Sequence, residues 1–410
     1  MVKLKYKMAS TPTHIDAAAQ QTATIGTGSL LVSLPPLPNG SFDTMLANLA
    51  AAFPTQTVLV ATPAASNGTT HATSDNIHLV PYTPVATSTT NWVLTAADYL
   101  NTFKAAEQTQ ASACLLLGAE CQSLTPEAIR ALADAITGSN TDLAVARYNL
   151  GPREGLVNSA ILYPLTRALF CVRARYPLAI DLGLSLRLAE RLAATAQKSI
   201  SVNQNDALLW PAAEAASANY SIAEVDIGAR ALPQPATADL NTLLAQIAGS
   251  LFAEVDARAS FWQRARGAQP ALPVDLSASL TETHDIAPML NAFHLAYANL
   301  HEIWSLVLPP NSLLGLKRLS VTPADSFNMP DSLWARIVYD FALGYRLRTI
   351  NRGHLLGALT PLYLAWVASH LVLTGNGTPP EKHIQDLATA FEADKPYLVS
   401  RWRWPDRFNP

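Results

Sequence analysis

Residues 113–127, with the sequence ACLLLGAECQSLTPE, decide the predicted fold. The apolar run up to Leu117 is short and uninterrupted, which is typical of a central parallel strand that is covered on both faces. Segment 125–127 then supplies an N-cap threonine, a proline at the first helical position and an acid in the first turn, so a helix is predicted to begin there. Ligands of open α/β sheets bind at the carboxyl ends of the strands. Glu120 lies at such an end, so any function is expected beside it.

Strands and helices are predicted to alternate around this stretch. The predicted strands are 30–34, 57–61, 77–80, 113–117 and 141–147, and the predicted helices are 42–53, 95–107, 125 onward, 158–172 and 182–195. Such alternation predicts a doubly wound, mostly parallel sheet with helices on both faces. Beyond residue 239 the strand signals end and amphipathic helices follow. The fold class is therefore predicted to be α/β and Rossmann-like, with a helical carboxyl-terminal extension.

Four segments are predicted along the chain. Residues 1–23 are polar and without periodicity, which predicts a mobile amino-terminal tail. Residues 24–238 form the α/β domain, and residues 239–400 form the helical region. Residues 401–410 form a short tail in which basic and aromatic side chains alternate, and this tail is expected to fold back on the surface.

The composition bounds the class of protein. The chain has 410 residues, of which 49% are hydrophobic, so it can bury a large core. The net charge of −3 and the charged fraction of 14% argue against a nucleic-acid partner, because phosphate binding needs clustered lysines and arginines. The three cysteines lack the spacing of a paired-ligand site, which predicts reduced, buried thiols and a cytoplasmic setting.

Two segments bear on targeting. Residues 1–7 carry three lysines, but the residues that follow are polar and alanine-rich, so a secretory signal peptide is not predicted. The most apolar segment, PLYLAWVASHLVL at residues 361–373, is shorter than the roughly 20 residues that a membrane-spanning helix needs. A buried helix is predicted there, and no transmembrane segment.

Several stretches resemble a known family. These are NSAILYPLTRALF at 158–170, RYPL at 175–178, LWARIVYDF at 333–341 and ALTPLYLAWV at 358–367, which are similar to retaining GT-A glycosyltransferases related to mannosylglycerate and glucosyl-3-phosphoglycerate synthases. The resemblance covers most of the chain beyond residue 26. It implies a GT-A fold with a nucleotide-sugar-binding domain and a helical extension. It also implies hexosyl transfer from a nucleotide-diphosphate sugar to a small hydroxylated acceptor such as a glycerate derivative.

The resemblance further implies a divalent metal, magnesium or manganese, that holds the donor diphosphate. Such a metal neutralises the charge that the leaving diphosphate gains as the glycosidic bond breaks, and hard oxygen ligands suit it. Members of the family carry Asp-x-Asp at the end of the corresponding strand, whereas this chain has Gly118, Ala119 and Glu120. Only Glu120 remains as a metal ligand there, so metal dependence is predicted to be weak.

Three other stretches depart from the family pattern. DIGARAL at residues 226–232 stands where a metal-binding histidine is expected, and TPAASNG at residues 62–68 replaces a loop that contains a nucleotide-binding aspartate. PLAID at residues 177–181 has Ile180 in the place of a glycine. A side chain at such a position stands where a ligand or a backbone approaches closely. Ile180 therefore predicts a closed or reshaped pocket.

Two aspartates are candidates for catalysis. Asp206 lies in a segment that resembles the Gly-x-Asp of the family, which contacts the acceptor; the structural alternative is an N-cap for a helix that begins at residue 207. Asp181 is a candidate for electrostatic support of a developing oxocarbenium charge. Its structural alternative is an ion pair with Arg175.

Three residues are candidates for binding the donor. Glu120, with Gly118 beside it, is assigned to the donor diphosphate or the metal; a solvated acid in a strand-to-helix turn is the alternative. Arg167 lies in the stretch that matches the family best, and an arginine there binds phosphate bidentately or forms a salt bridge on a helix surface.

Two hypotheses of function follow. The first is a glycosyltransferase that uses a nucleotide-sugar donor and a small acceptor. The second is a catalytically inactive homologue that keeps the fold and acts as a binding or regulatory partner, because several family positions are lost at once and the charge stabilisation that drives the reaction is lost with them. The assembly state is left open, and a homo-oligomer is compatible with both hypotheses.

Overall fold

The computed structural model describes residues 29–63, 75–151, 153–235, 239–267, 272–273 and 285–405. The predicted amino-terminal tail, most of the loop at 62–73 and the end of the carboxyl-terminal tail lie outside the described residues. Within them the sheet has seven strands: β1 (Leu30–Ser33), β2 (Val58–Pro63), β3 (Ile77–Tyr82), β4 (Ala113–Leu117), β5 (Leu143–Tyr148), β6 (Asp181–Ser185) and β7 (Ile222–Gly228). Their order across the sheet is β3-β2-β1-β4-β6-β5-β7.

The sheet is parallel except for one strand. β1, β2, β3 and β4 pair in parallel, and β5 pairs in parallel with β7. β6 lies between β4 and β5 and is antiparallel to both. The carboxyl ends of β1 to β4 therefore meet at one edge of the sheet, where the amino end of β6 joins them.

Helices cover both faces of this sheet. They are α1 (Asn39–Ala52), α2 (Ala96–Thr109), α3 (Pro126–Thr137), α4 (Tyr163–Phe170), α5 (Leu186–Ile200) and α6 (Pro211–Ser217). α1 packs on α3 on one side, and α2 packs on α5 on the other, where α6 lies beside α5. The predicted start of α3 is confirmed, because the Thr125 side chain accepts a hydrogen bond from the Ala128 amide and Pro126 is the first helical residue. The predicted α/β fold class is confirmed as well.

The sequence prediction of a helix from residue 182 is wrong. Residues 181–185 form β6, and α5 begins only at Leu186, with Ser185 as its N-cap. Gly183 allows α3 to pack closely on this strand, because a Cβ atom there would lie 2.7 Å from the Ile136 side chain of α3 and 3.1 Å from the Ala144 side chain of β5. Pairing with two neighbours decides the conformation of this short apolar segment, and local pattern alone does not.

Asp142 lies where the start of β5, the start of α5 and the start of β7 meet. Its carboxylate accepts hydrogen bonds from the guanidinium of Arg187, from the Ser185 hydroxyl, and from the amide and hydroxyl of Ser221. Burial raises the pKa of the Asp142 carboxyl, but these hydrogen bonds together outweigh burial and hold the pKa well below its usual range. The ionised carboxylate thus joins the start of α5 to the segments that precede β5 and β7.

Asp142→Asn is expected to lower the free energy of unfolding by about 2 kcal/mol at neutral pH. This loss is smaller than for a fully buried ion pair, because the partner Arg187 is largely exposed to solvent. The folded-state pKa of Asp142 is depressed, so its stabilisation is complete above the ordinary carboxyl pKa of about 4 and is lost as the pH falls further. Urea unfolding of both proteins from pH 7 to pH 3 measures this. A difference between them that persists unchanged at pH 3 contradicts an electrostatic origin.

Seven further helices occur among the described residues of the carboxyl-terminal region. They are α7 (Leu240–Ala257), α8 (Ala259–Trp262), α9 (Ala287–Ser305), α10 (Pro310–Leu319), α11 (Asp331–Leu347), α12 (Arg352–Gly375) and α13 (Pro380–Arg403). α13 packs along α11 and also against α4, and the Trp334 indole donates to the Ala160 carbonyl at 2.8 Å. One cluster of buried apolar side chains runs from β1 through to α13. The predicted helical extension is confirmed, and its boundaries at residues 238 and 400 stay predictions.

The apolar segment 361–373 lies inside α12. This helix has 24 residues and is, among the described residues, long and apolar enough to cross a membrane by length and composition. However, 78% of its most apolar window is buried inside the fold, as in a core helix. The predicted buried helix is confirmed; α12 begins nine residues before the apolar segment and ends two residues after it.

The three cysteines are free thiols. Cys114 in β4 and Cys121 after it are buried, and burial raises the pKa of each thiol to about 12. Both therefore stay protonated and unreactive at neutral pH. Cys171 is half-buried at the end of α4.

Candidate functional site

A cleft of about 700 Å³ opens where β1 to β4 end. Its walls come from the ends of those strands, from the segment that follows β3 and from the first turns of α2. The residues that line it are Ser33, Leu34, Pro35, Pro36, Pro63, Tyr82, Pro84, Ala86, Thr87, Ser88, Thr89, Thr90, Asn91, Val93, Leu94, Asp98, Asn101, Leu116, Leu117, Gly118, Ala119 and Ile180. This is the edge at which the sequence placed the site.

The cleft carries little charge, and its lining combines apolar surface with hydroxyl and amide groups. Its described lining contains hydroxyl and amide side chains and a single carboxylate, that of Asp98, without a lysine, arginine or histidine. The Asp98 carboxylate caps α2, accepting from the amide and hydroxyl of Thr95 at 2.7 and 2.8 Å. Burial raises the pKa of Asp98 against these hydrogen bonds, which lower it. Burial, with the Asp98 charge nearby, also raises the pKa of Tyr82 to about 12.

Ile180 closes the floor of the cleft against Gly118. A Cβ atom on Gly118 would lie 2.9 Å from the Ile180 Cβ and 3.0 Å from its Cδ1. Both residues are buried. The Ile180 side chain therefore takes the space that a side chain at residue 118 would need.

Asp181 is paired with Arg230, not with Arg175 as the structural alternative supposed. The Arg230 Nε donates to Asp181 Oδ2 at 2.9 Å and its Nη2 donates to Oδ1 at 3.1 Å, and neither side chain is exposed to solvent. Tyr148 and the Gly118 amide also donate to the Asp181 carboxylate. Burial disfavours the charge of Arg230, but Asp181 outweighs it and raises the pKa of Arg230 above its usual value. Several hydrogen bonds thus hold the two side chains together in the interior of the fold.

The same guanidinium holds the loop after β4. Arg230 Nη2 donates to the Ala119 carbonyl at 2.7 Å, and Nη1 donates to the Ser123 hydroxyl at 3.2 Å. The Ser123 hydroxyl in turn donates to the Glu120 carbonyl at 2.7 Å. The positively charged guanidinium of Arg230 therefore lies at the carboxyl end of β4.

The residues at this end do not fit a divalent metal. Asp181 is taken up by Arg230, and Glu120 is exposed, with its carboxylate accepting from the Gln122 amide at 2.7 Å. Among the described residues there is no group of three or more histidines, cysteines, aspartates or glutamates arranged to hold a metal. A guanidinium already supplies a cation where a metal would be needed, and two cations repel each other at such distances.

Asp206 lies at the rim of the cleft. It does not cap a helix at residue 207, because α6 begins only at Pro211. Its carboxylate accepts from the Ser88 hydroxyl at 2.8 Å and from the amide and hydroxyl of Thr89 at 2.8 and 2.6 Å. Partial burial raises the pKa of Asp206, but these hydrogen bonds outweigh burial and place the pKa below its usual value. Asp206 thereby anchors the loop that forms one wall of the cleft.

Arg167 lies away from the cleft, between α4 and α13. Its Nε and Nη2 donate to the two carboxylate oxygens of Glu392, each at 2.9 Å, and Nη1 donates to Gln385 at 2.7 Å. Arg175 likewise turns toward α13 and pairs with Glu381 at 3.1 Å. The structure thus brings Gly118 and Asp181 together, leaves Glu120 and Asp206 at the margins of the cleft, and separates Arg167 from all of them.

The sequence analysis did not identify Asp98, which lines the cleft, or Arg230, which lies beneath it. Asp98 is recognisable, because Thr95 and Asp98 have the spacing of a capping box. Arg230 lies within the stretch where a histidine was expected, but the sequence does not indicate that its side chain turns inward to Asp181.

Comparisons with known proteins give a distant structural similarity. No family model matches the chain, and no curated protein matches it. Among solved structures, glucosyl-3-phosphoglycerate synthase from Mycobacterium tuberculosis in complex with phosphoglyceric acid is 14% identical, over 62% of this chain and 84% of that chain, with a TM-score of 0.35. The same enzyme in complex with Mn²⁺, UDP-glucose and phosphoglyceric acid has a TM-score of 0.33 at the same identity and coverage. The architecture of this chain is therefore established by its own strand order and helix packing.

Proposed function

We propose that this chain is a catalytically inactive glycosyltransferase homologue that binds a neutral polar ligand, such as a nucleoside or a sugar, in the cleft at the ends of β1 to β4. The observation that carries the proposal is the buried ion pair of Arg230 with Asp181 at the end of β4. It removes the carboxylate that would support catalysis and puts a fixed cation where a metal would be held. A cytoplasmic setting is part of the proposal.

The charge of the cleft supports a neutral ligand. A diphosphate carries at least two negative charges, and such groups are bound in proteins by arginines, lysines or metals. The described lining of the cleft instead offers hydroxyls and amides together with the Asp98 carboxylate. Leu94, Leu117 and Tyr82 add apolar surface against which a sugar or base ring packs.

The competing function is hexosyl transfer from a nucleotide-diphosphate sugar to a small hydroxylated acceptor without a metal. One observation favours it, namely that the cleft is open and large enough for a small donor fragment. In this function Glu120 would contact the diphosphate beside Gly118, and Asp206 would orient the acceptor hydroxyl. Asp181 would act only through its charge, and Arg167 does not line the cleft, since its guanidinium is bound to Glu392 and Gln385 of α13.

Calorimetric titration distinguishes the two functions. We expect uridine or guanosine to bind at least as tightly as the corresponding diphosphate, because the described lining of the cleft has no cationic side chain to bind the phosphates. We expect manganese to change the affinity for UDP-glucose by less than about twofold, since an ordered divalent site would contribute far more through charge neutralisation. No release of UDP is expected from UDP-glucose with glycerate or 3-phosphoglycerate as acceptor.

A variant that fills the cleft controls for binding elsewhere. Ala119→Trp places a large ring in the cleft lining, whereas Val85→Trp changes an exposed neighbour of the same wall that does not line it. Nucleoside binding should be lost only in the first. UDP release that drops in Glu120→Ala or Asp206→Ala, or manganese-dependent binding, overturns the proposed function in favour of transfer.

A further inference from the structure

A second cavity, of about 630 Å³, lies between α4 and α13, on the side of the helical region. Its described lining shares no residue with the cleft at the strand ends. The lining residues are Arg167, Ala168, Cys171, Ala265, Arg266, Gly267, Glu392, Lys395, Pro396, Val399, Ser400, Arg403 and Trp404. This cavity is called the α4–α13 pocket below.

The α4–α13 pocket is strongly basic, although the chain as a whole is slightly acidic. Four cationic side chains line it, against the single carboxylate of Glu392. That carboxylate is already engaged by both Arg167 nitrogens in a bidentate pair. One carboxylate cannot balance four cations, so the pocket keeps an excess of positive charge from Lys395, Arg266 and Arg403.

Lys395 is the buried cation of the pocket. The residue is only 8% exposed, and its ammonium donates to the carbonyls of Leu169 at 3.4 Å and Ala265 at 3.1 Å. Both acceptors are neutral, and the described residues give this ammonium no carboxylate partner within ion-pair distance. A buried ammonium that lacks a counter-charge is costly unless an anion joins it.

The two arginines at the mouth also keep donors available. Arg266 donates from Nη1 to the Ala265 carbonyl at 3.3 Å, and Arg403 donates from Nε to the Gln263 side chain at 2.9 Å. Each guanidinium has five N–H donors, so most of them point to solvent or to the pocket. Trp404, which is 59% exposed, adds an aromatic face to the same wall.

We propose that the α4–α13 pocket is a binding site for a small phosphomonoester, with the phosphate held by Lys395, Arg266 and Arg403 and the organic part against Trp404. The volume suits a small molecule, and a phosphate oxygen accepts from ammonium and guanidinium donors more strongly than a neutral group does. The sequence resemblance assigned Arg167 to phosphate binding, and here Arg167 lines the α4–α13 pocket instead of the strand-end cleft. Its role is indirect, because its guanidinium binds the Glu392 carboxylate, which would otherwise repel the phosphate. The proposal does not depend on the function of the strand-end cleft.

Titration calorimetry with ribose 5-phosphate tests this site, with ribose and succinate as ligands that lack the phosphate. The wild-type chain should bind ribose 5-phosphate and neither of the others. Loss of one charge-assisted contact weakens binding by roughly tenfold or more, which is the expected effect of Arg403→Gln and of Lys395→Met. Lys382→Gln, which removes an exposed lysine elsewhere on α13, should leave binding unchanged.

Lys395→Met also removes the donor to the backbone carbonyls of Leu169 and Ala265, so this variant risks misfolding. Arg403→Gln and Arg266→Gln change exposed side chains and keep the test decisive. Absence of ribose 5-phosphate binding to the wild type up to about 10 mM, roughly the weakest affinity of a useful small-molecule site, overturns the proposal. Equal affinity for succinate, or unchanged affinity in both arginine variants, overturns it as well.

Discussion

Arg230→Met is expected to lower the free energy of unfolding by about 3–5 kcal/mol, the cost that follows when one partner of a buried ion pair is removed. Methionine keeps much of the side-chain volume but leaves the Asp181 carboxylate buried without its counter-charge. It also leaves the carbonyl of Ala119 and the hydroxyl of Ser123 without this donor. Chemical denaturation at neutral pH, monitored by circular dichroism, measures the loss.

Two comparisons separate this ion pair from a general effect of losing an arginine. Arg336→Met removes a partly exposed pair with Asp394, and such pairs contribute about 1 kcal/mol or less. Combining Arg230→Met with Asp181→Leu removes both charges, so the double variant should be more stable than Arg230→Met alone. If Arg230→Met costs no more than Arg336→Met, the guanidinium does not hold the end of β4 and the argument for a displaced metal site falls with it.

The main frame of the fold is predictable because its signals are local. The uninterrupted apolar run of β4 and the N-cap and proline at the start of α3 each specify one element without information from elsewhere in the chain. β6 was missed because its five residues are too few to show a period, and because two neighbouring strands decide its conformation. Without the pairing to β4 and β5, residues 182–185 have a sequence that is also compatible with the start of a helix.

The candidate site was less predictable because its contacts join distant parts of the chain. Asp181 and Arg230 are 49 residues apart, and Arg167 and Glu392 are 225 residues apart. Proximity in sequence pointed to Arg175 as the partner of Asp181, but Arg175 turns to Glu381 on α13. The resemblance drew attention to Gly118, to Ile180 and to residues 226–232. It did not indicate that Ile180 packs against Gly118, or that the Arg230 guanidinium donates to the Gly118 carbonyl.

Gly118→Asp introduces the acid that the sequence resemblance predicts at residue 118, but we expect it to destabilise the fold by about 4 kcal/mol or more and not to create a metal site. The new Cβ would lie 2.9 Å from the Ile180 Cβ, which belongs to the backbone-proximal part of that side chain and cannot rotate away. The new carboxylate would also be buried beside Asp181, whose charge Arg230 already neutralises. Overpacking and an unpaired buried charge therefore act in the same direction.

Gly40→Asp is the matched control, because a Cβ there meets nothing within 4 Å and an acid in the first turn of α1 suits the helix dipole. It should leave stability unchanged or slightly raised. Ile180→Gly in the Gly118→Asp background removes the clashing atoms, so the double variant should lose less than the sum of the two single losses. Manganese titration of that double variant is the sharper test. If manganese stabilises the single variant Gly118→Asp, with Ile180 and Arg230 in place, the end of β4 can hold a metal. Ile180 and Arg230 then do not prevent metal binding at residue 118, and the argument fails.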